Sequence, residues 1–195
     1  MRADYRVVLD ACVLIPMPLV DTLLRMAETP RLYLPKWSQM IMDEVTRNLT
    51  GKWGLTPEKA RRREEALQRH FPEAWVEGFE PLIGVMTNDP GDRHVLAAAV
   101  RCHAELIVTY NRRHFQAGSV QPWEIDVQGP SAFLRGLYDL DAGLFVGKLH
   151  EQAATIGVSL SHLLSNLNKN VPGFVDYFCE EQGIDLSGEQ QRAQQ

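Results

Sequence analysis

The chain has 195 residues, of which 45% are hydrophobic, and a formal net charge of −5. This length suits one domain with its own core and a possible appended subdomain, and the acidic balance excludes binding of nucleic acid through bulk positive charge. The sequence has no apolar run near the ~20 residues of a membrane-spanning helix, and its three widely spaced cysteines argue against a zinc cage or a disulfide framework.

The first 130 residues alternate between strand and helix patterns. A short, apolar and β-branched run at 6–10 predicts a buried strand that ends in an acid. Capping residues and apolar spacing predict helices over 16–28, 38–49, 56–71 and 92–103. Further strands are predicted over 75–79, 105–109 and 123–127, and an irregular connection over 32–35. This alternation predicts an α/β domain with a central, mostly parallel sheet.

After Gly129 the pattern is helical, with helices predicted over 131–140, 142–156, 159–168 and 173–182. We therefore predict three parts: an α/β domain at 1–130, a helical C-terminal extension at 131–186 and a disordered tail at 187–195. The extension is either a docking surface or additional core. Its apolar residues at helical intervals favour additional core.

Four polar side chains stand where a bound metal would need them, those of Asp10, Glu44, Asp92 and Asn111. Asp10 closes the first strand, and Thr109 and Asn111 end the strand at 105–109. In parallel sheets, ligands bind beyond the carboxyl ends of the strands, so these residues face one crevice. Glu44 lies at the edge of its helix's apolar arc, whereas its neighbour Asp43 falls opposite that arc.

Asp92 lies on the apolar face of its helix, between Val95 and Leu96. Taken alone, each acid has a plain structural interpretation as a turn residue, a helix cap or a surface ion pair. Together they are hard to explain without a cation, because two like charges ~4 Å apart repel by roughly 4 kcal/mol at an effective dielectric near 20. The sequence therefore predicts a divalent-cation site.

A phosphatase of the haloacid dehalogenase type also begins with an apolar strand that ends in aspartate. Such enzymes need a second aspartate two residues later, and Cys12 occupies that position here. We reject this interpretation.

Four segments together resemble the ordered motifs of PIN-domain proteins. These segments are Val7-Val8-Leu9-Asp10, Met42-Asp43-Glu44-Val45, Gly91-Asp92-Arg93-His94-Val95-Leu96-Ala97-Ala98-Ala99 and Ile107-Val108-Thr109-Tyr110-Asn111. More narrowly, residues 6–127 resemble VapC-type toxin ribonucleases, with a longer C-terminal part. The resemblance implies a PIN-like three-layer α/β/α fold and an endoribonuclease that depends on Mg²⁺ or Mn²⁺. Its products would carry a 5′-phosphate and a 3′-hydroxyl.

The resemblance also suggests a role for each residue of the site. Asp10 and Asp92 are expected to bind the metal directly, and Glu44 to bind it or to orient a water as a base. Asn111, where relatives carry a fourth acid, would complete the shell through water. Thr109 would hold the attacking water or a phosphate oxygen.

RNA is expected to contact the basic residues beside the site. These are Arg112, Arg113 and His114, the last standing where relatives often carry an acid. A second basic group at 59–69 alternates with glutamates, as on an ordinary solvated helix. The tryptophans are not assigned to RNA.

The expected partners follow from the same resemblance. They are an RNA substrate, a cognate antitoxin protein that blocks the site, and a second copy of the chain in a homodimer. We expect a cytoplasmic protein, because the N-terminus lacks a secretory signal and the cysteine usage suits a reducing compartment. The alternative is a PIN-like module that binds RNA or protein and has lost catalysis, an interpretation that Asn111 also supports.

Overall fold

The computed structural model describes residues 5–186. The predicted tail at 187–195 lies outside the described residues. The described chain forms two compact units, one of residues 5–15 and 33–129 and the other of residues 16–32 and 130–186. The domain division stays a prediction: a unit border falls at residue 130, but Pro16–Leu32 groups with the C-terminal helices.

The described residues of the first unit contain a parallel sheet with the strand order β3-β2-β1-β4-β5. The strands are β1 (Arg6–Leu9), β2 (Leu34–Ser38), β3 (Trp75–Val76), β4 (Leu106–Val108) and β5 (Asp126–Gln128). The register between the central strands pairs Val8 with Ile107 and Leu9 with Val108. All four side chains are fully buried, as expected for parallel strands covered on both faces.

The helices, in chain order through both units, are α1 (Ala11–Leu14), α2 (Leu19–Ala27), α3 (Gln39–Gly51), α4 (Pro57–His70), α5 (Glu80–Ile83), α6 (Arg93–Arg101), α7 (Ala117–Val120), α8 (Pro130–Leu140), α9 (Ala142–Thr155), α10 (Leu160–Leu167) and α11 (Pro172–Gln182). In the first unit, α3 begins where the Ser38 hydroxyl accepts a hydrogen bond from the Ile41 amide at 3.3 Å. The Thr56 side chain caps α4 in the same way, accepting from the Lys59 amide. Both starts follow the capping signals of the sequence.

The second unit is helical and has its own aromatic core. Tyr138 and Phe178 meet edge-on, with their ring centroids 5.5 Å apart, and Phe145 and Phe174 are fully buried. Polar bonds join α2 to α9, including one from the Thr22 hydroxyl to the Gln152 side-chain oxygen at 2.8 Å. The helical C-terminal region is therefore packed structure. Across residues 5–186, no helix combines the length and the apolarity that a bilayer crossing requires.

The predicted fold class, α/β/α with a parallel sheet and a helical C-terminal region, is confirmed. The irregular connection predicted over 32–35 is wrong, because β2 begins at Leu34 and pairs with β1. Proline argues against a central strand because it lacks an amide proton. Pro35 is accommodated because β3 is short and pairs only with Trp37 and Ser38, so β2 is locally an edge at Pro35.

Candidate active site

The carboxyl ends of β1 and β4 bring Asp10 and Thr109 side by side. The strands are parallel neighbours, and the Asp10 amide continues the ladder by donating to the Val108 carbonyl at 3.1 Å. The Thr109 hydroxyl donates to Oδ2 of Asp10 at 2.6 Å. Asp10 is 2% exposed and Thr109 is fully buried, so this carboxylate has a defined orientation within the sheet edge.

Cys12, in the first turn after β1, belongs to the same network. Its Sγ donates to Oδ2 of Asp10 at 3.1 Å and lies 3.3 Å from the Thr109 hydroxyl. Backbone amides donate to both the thiol and the hydroxyl. The Tyr110 amide donates to Cys12 Sγ, and the Asn111 amide donates to the Thr109 hydroxyl oxygen. Burial and the negative charge of Asp10 raise the pKa of the Cys12 thiol to about 12, which keeps it protonated at neutral pH. The sequence drew attention to Cys12 only as a missing aspartate.

Glu44 lies on α3, at the border between the buried stripe and solvent. Its carboxylate is half-buried and lies 3.9 Å from Nε2 of His94. Burial raises the pKa of Glu44, the charge of Asp10 raises it further, His94 lowers it, and Asp92 adds a smaller rise. The neighbouring Asp43 is exposed and accepts a hydrogen bond from Gln39, as the helical spacing predicts.

Asp92 stands at the N-terminus of α6, with a side chain that is 13% exposed. Burial is the main cause that raises the pKa of Asp92, the hydrogen bond from His114 opposes the rise, and the charges of Asp10 and Asp89 add to it. The charge of Asp10 therefore acts on both Glu44 and Asp92. Three acids from distant parts of the sequence form one electrostatic group.

His114 makes contacts through both ring nitrogens. Its Nδ1 lies 2.5 Å from Oδ2 of Asp92, and the Nε of Arg113 donates to its Nε2 at 3.3 Å. Because arginine can only donate, Nε2 of His114 is the acceptor. Its Nδ1 is then the protonated nitrogen and donates the hydrogen bond to Asp92. This tautomer is assigned from the hydrogen bonds. His114 thus holds Asp92, and its predicted contact with RNA stays a prediction.

The tightest group of ligating atoms among the described residues consists of Asp89, Asp92 and His114, whose atoms lie within 4.8 Å of one another. Of the three predicted metal ligands, only Asp92 belongs to this group. Asp89 is exposed, and its Oδ1 accepts from the Gly91 amide at 3.0 Å, which is the bond of an Asx turn. The Asp-Pro-Gly sequence predicts that turn, but it gave no sign that Asp89 would lie beside His114.

The basic helix α4 is paired with its own glutamates. Arg62 bonds Glu58 at 2.6 Å, and Arg61 lies 3.6 Å from Glu65. Arg63 donates to the carbonyl of Leu14 within the first unit. These contacts support the interpretation of α4 as a solvated helix. Arg112 and Arg113 are exposed directly after Asn111, and their predicted contact with RNA stays a prediction.

The donor set suits a hard divalent cation. Asp10, Glu44 and Asp92 supply carboxylate oxygens, which Mg²⁺ and Mn²⁺ prefer. Burial is the main cause of the raised pKa values of Glu44 and Asp92, and the negative charge of Asp10 raises both further. A cation among the three acids would offset that repulsion. The amide of Asn111 offers a neutral oxygen where a fourth carboxylate would add charge.

The raised pKa of Glu44 predicts an effect on stability. A raised pKa means that the folded protein accommodates protonated Glu44 better than ionised Glu44. The resulting stabilisation is complete below the unfolded pKa of about 4.3 and is lost as pH rises through the pKa of the folded state. Ionised Glu44 therefore destabilises the metal-free protein at neutral pH. We expect Glu44→Gln to raise its Tm by about 1–3 °C, and to lose most of the stabilisation that Mn²⁺ gives the wild type.

Thermal unfolding with and without Mn²⁺ measures both effects. Asp43→Asn, on the exposed face of the same helix, is the matched control and should leave both values near those of the wild type. A lower Tm for Glu44→Gln without metal, or an unchanged response to Mn²⁺, would contradict the electrostatic description of the site.

Comparison with known proteins bears on the fold and the family. A family model described as "PIN domain" matches residues 6–113. A Mycobacterium tuberculosis protein (strain ATCC 25618 / H37Rv) with the printed name "Putative ribonuclease VapC50" is 46% identical over 67 residues. That match spans 34% of this chain and 40% of the relative's length. No solved structure matches the chain.

Proposed function

Because the chain belongs to the PIN-domain family, we propose that it is a metal-dependent endoribonuclease that hydrolyses RNA phosphodiester bonds. We further propose that it is the toxin of a toxin–antitoxin pair, by analogy with the VapC-type relative. The observation that carries the proposal is the electrostatic group formed by Asp10, Glu44 and Asp92 at the carboxyl edge of a parallel sheet. Such an edge is where α/β folds place their ligands.

In this proposal Asp10, Glu44 and Asp92 would hold Mg²⁺ or Mn²⁺, and Asn111 would complete the set through water. When bound, the ion would neutralise charge on the phosphate and lower the pKa of a water nucleophile. Glu44, the most exposed of the three acids, is best placed to orient that water.

For Thr109 we propose a second part beside the predicted one, which stays a prediction. Its hydroxyl proton is directed at Asp10 and its side chain is fully buried. This favours a role in orienting the Asp10 carboxylate over direct contact with water or phosphate.

The RNA would approach across the segment that follows β4. Arg112 and Arg113 are exposed there, and His114 links Arg113 to Asp92. Contacts of this type fix the position of the phosphate chain without reading its sequence. Binding at this segment should therefore weaken with salt.

The proposed partners are an RNA substrate, a cognate antitoxin that covers the site, and a second copy of the chain. A cationic side chain inserted beside Asp10, Glu44 and Asp92 would relieve the same repulsion that a metal relieves. The antitoxin and the homodimer both rest on the family resemblance.

The second candidate is a PIN-like module that binds RNA or protein without cutting it. The observation that favours it is the neutral Asn111 at the position of a fourth acid. With one negative charge fewer, the site would bind the cation more weakly, and metal-dependent cleavage would weaken as well.

Cleavage of total cellular RNA by the chain separates the two candidates. We expect Mn²⁺ to support cleavage, EDTA to abolish it and added Mn²⁺ to restore it, with 5′-phosphate and 3′-hydroxyl ends on the products. Cys179→Ala, in a helix of the second unit, is the control and should cut like the wild type. A folded sample that binds RNA but never cuts it, or whose cleavage ignores EDTA, would contradict the nuclease proposal.

A further inference from the structure

We propose that Cys12 is a positioning residue of the metal site: with Thr109, its thiol fixes the Asp10 carboxylate so that one oxygen is held and the other faces the cation. This inference rests on the proposed function, since it concerns the same ion. The role follows from the hydrogen bonds around a single oxygen atom.

Both side-chain donors reach the same oxygen of Asp10. The Thr109 hydroxyl donates to Oδ2 at 2.6 Å, and Cys12 Sγ donates to Oδ2 at 3.1 Å. Within residues 5–186, these are the side-chain hydrogen bonds that Asp10 accepts, so Oδ1 is left for a ligand. A carboxylate held by one oxygen cannot rotate to offer either oxygen indifferently, and it therefore presents Oδ1 in a fixed direction.

The number of side-chain protons available to Asp10 shows what the Cys12 thiol contributes. Thr109 has one hydroxyl proton, and the short bond to Asp10 uses it. Its oxygen accepts the Asn111 amide at 2.9 Å, while Cys12 Sγ accepts the Tyr110 amide at 3.3 Å. The thiol proton is then the second donor, directed at Asp10 itself or at the Thr109 oxygen that supports it. Either way, the thiol adds a constraint on Asp10.

A free cysteine in a protein interior is more often a small apolar group than a hydrogen-bonding one, and Cys12 is only half-buried. Here the sulfur is surrounded by the Asp10 carboxylate, the Thr109 hydroxyl and the Tyr110 amide. If Cys12 only fills space, a substitution that keeps an apolar side chain and removes the donor should leave Mn²⁺ affinity unchanged. If Cys12 positions Asp10, the same substitution should weaken Mn²⁺ binding. Cys12→Val removes the donor and keeps an apolar side chain, with a second γ-carbon added, and Cys12→Ser keeps a donor with a shorter bond.

The test measures Mn²⁺ affinity by electron paramagnetic resonance, together with the Tm of the metal-free protein. We expect Cys12→Val to weaken Mn²⁺ binding about tenfold, as for other groups that orient a metal ligand, while its metal-free Tm stays near that of the wild type. Cys12→Ser should recover affinity to within about threefold of the wild type. Cys179→Ala, in a helix of the second unit, is the matched cysteine control and should bind Mn²⁺ normally.

The outcomes separate this inference from the function on which it rests. If the wild type binds Mn²⁺ and Cys12→Val binds it equally well, the positioning role is overturned and the nuclease proposal stands. If Cys12→Val does not fold, Cys12→Ala replaces it in the comparison with Cys12→Ser, and equal affinity of those two variants overturns the role in the same way. If the wild type binds no Mn²⁺ at all, both proposals are overturned.

Discussion

Replacing Asp10 with asparagine is expected to lower Mn²⁺-dependent RNA cleavage about a thousandfold, while the protein stays folded. The substitution keeps the shape of a side chain that is 2% exposed and removes its charge. The amide oxygen can still accept from Thr109 and Cys12, so the network around it is preserved. Loss of the charge also relieves the repulsion that Asp10 exerts on Glu44 and Asp92.

The measurement is the single-turnover cleavage rate at saturating Mn²⁺, with circular dichroism to verify folding. Asp43→Asn is the control for loss of an acid, since Asp43 is exposed and bonds Gln39 on the helix surface. It should cut at nearly the wild-type rate. If Asp10→Asn cuts as fast as Asp43→Asn, Asp10 does not take part in the chemistry.

The second large loss of cleavage rate is expected for a substitution at Asp92. The same substitution at the neighbouring Asp89 serves as the comparison. Asp92→Asn should slow cleavage about a hundredfold, because it removes a carboxylate that is 13% exposed and shares a site with Asp10. Asp89→Asn should slow it less than about threefold. The Asp89 carboxylate is exposed and is occupied with the Gly91 amide.

This pair of variants decides between two places for the ion. In one, the ion lies among Asp10, Glu44 and Asp92. In the other, it lies in the tight group of Asp89, Asp92 and His114. Cleavage rates that fall equally in Asp89→Asn and Asp92→Asn would support the second place and contradict the proposed ligand set. Mn²⁺ affinity, measured on the same samples, should follow the same order as the rates.

Much of the fold and part of the site could be predicted because they depend on local patterns. The β-branched runs of β1 and β4 predict buried parallel strands, and parallel strands end at a common edge. That rule alone places Asp10 beside Thr109, as the 2.6 Å bond between them confirms. The helical spacing separates the half-buried Glu44 from the exposed Asp43.

The remaining features depend on contacts that no local pattern records. The bond between Asp92 and His114 spans 22 positions of sequence and exists because the turn before α6 meets the segment after β4. The contact of Cys12 with Asp10 and Thr109 also has no local signature, because a cysteine two residues after a strand-ending aspartate fits many structures. Strand β2 is not evident from the sequence because it contains Pro35. The sheet accommodates this proline only because β3 is short and does not pair with it.

The most direct test of the shared-ion site is a crystal of the full chain soaked in Mn²⁺, measured at a wavelength where manganese scatters anomalously. We predict an anomalous peak bonded to carboxylate oxygens of Asp10, Glu44 and Asp92, with Oδ1 of Asp10 as the contact. A peak held only by Asp89, Asp92 and His114, or no peak at a saturating Mn²⁺ concentration, would contradict it.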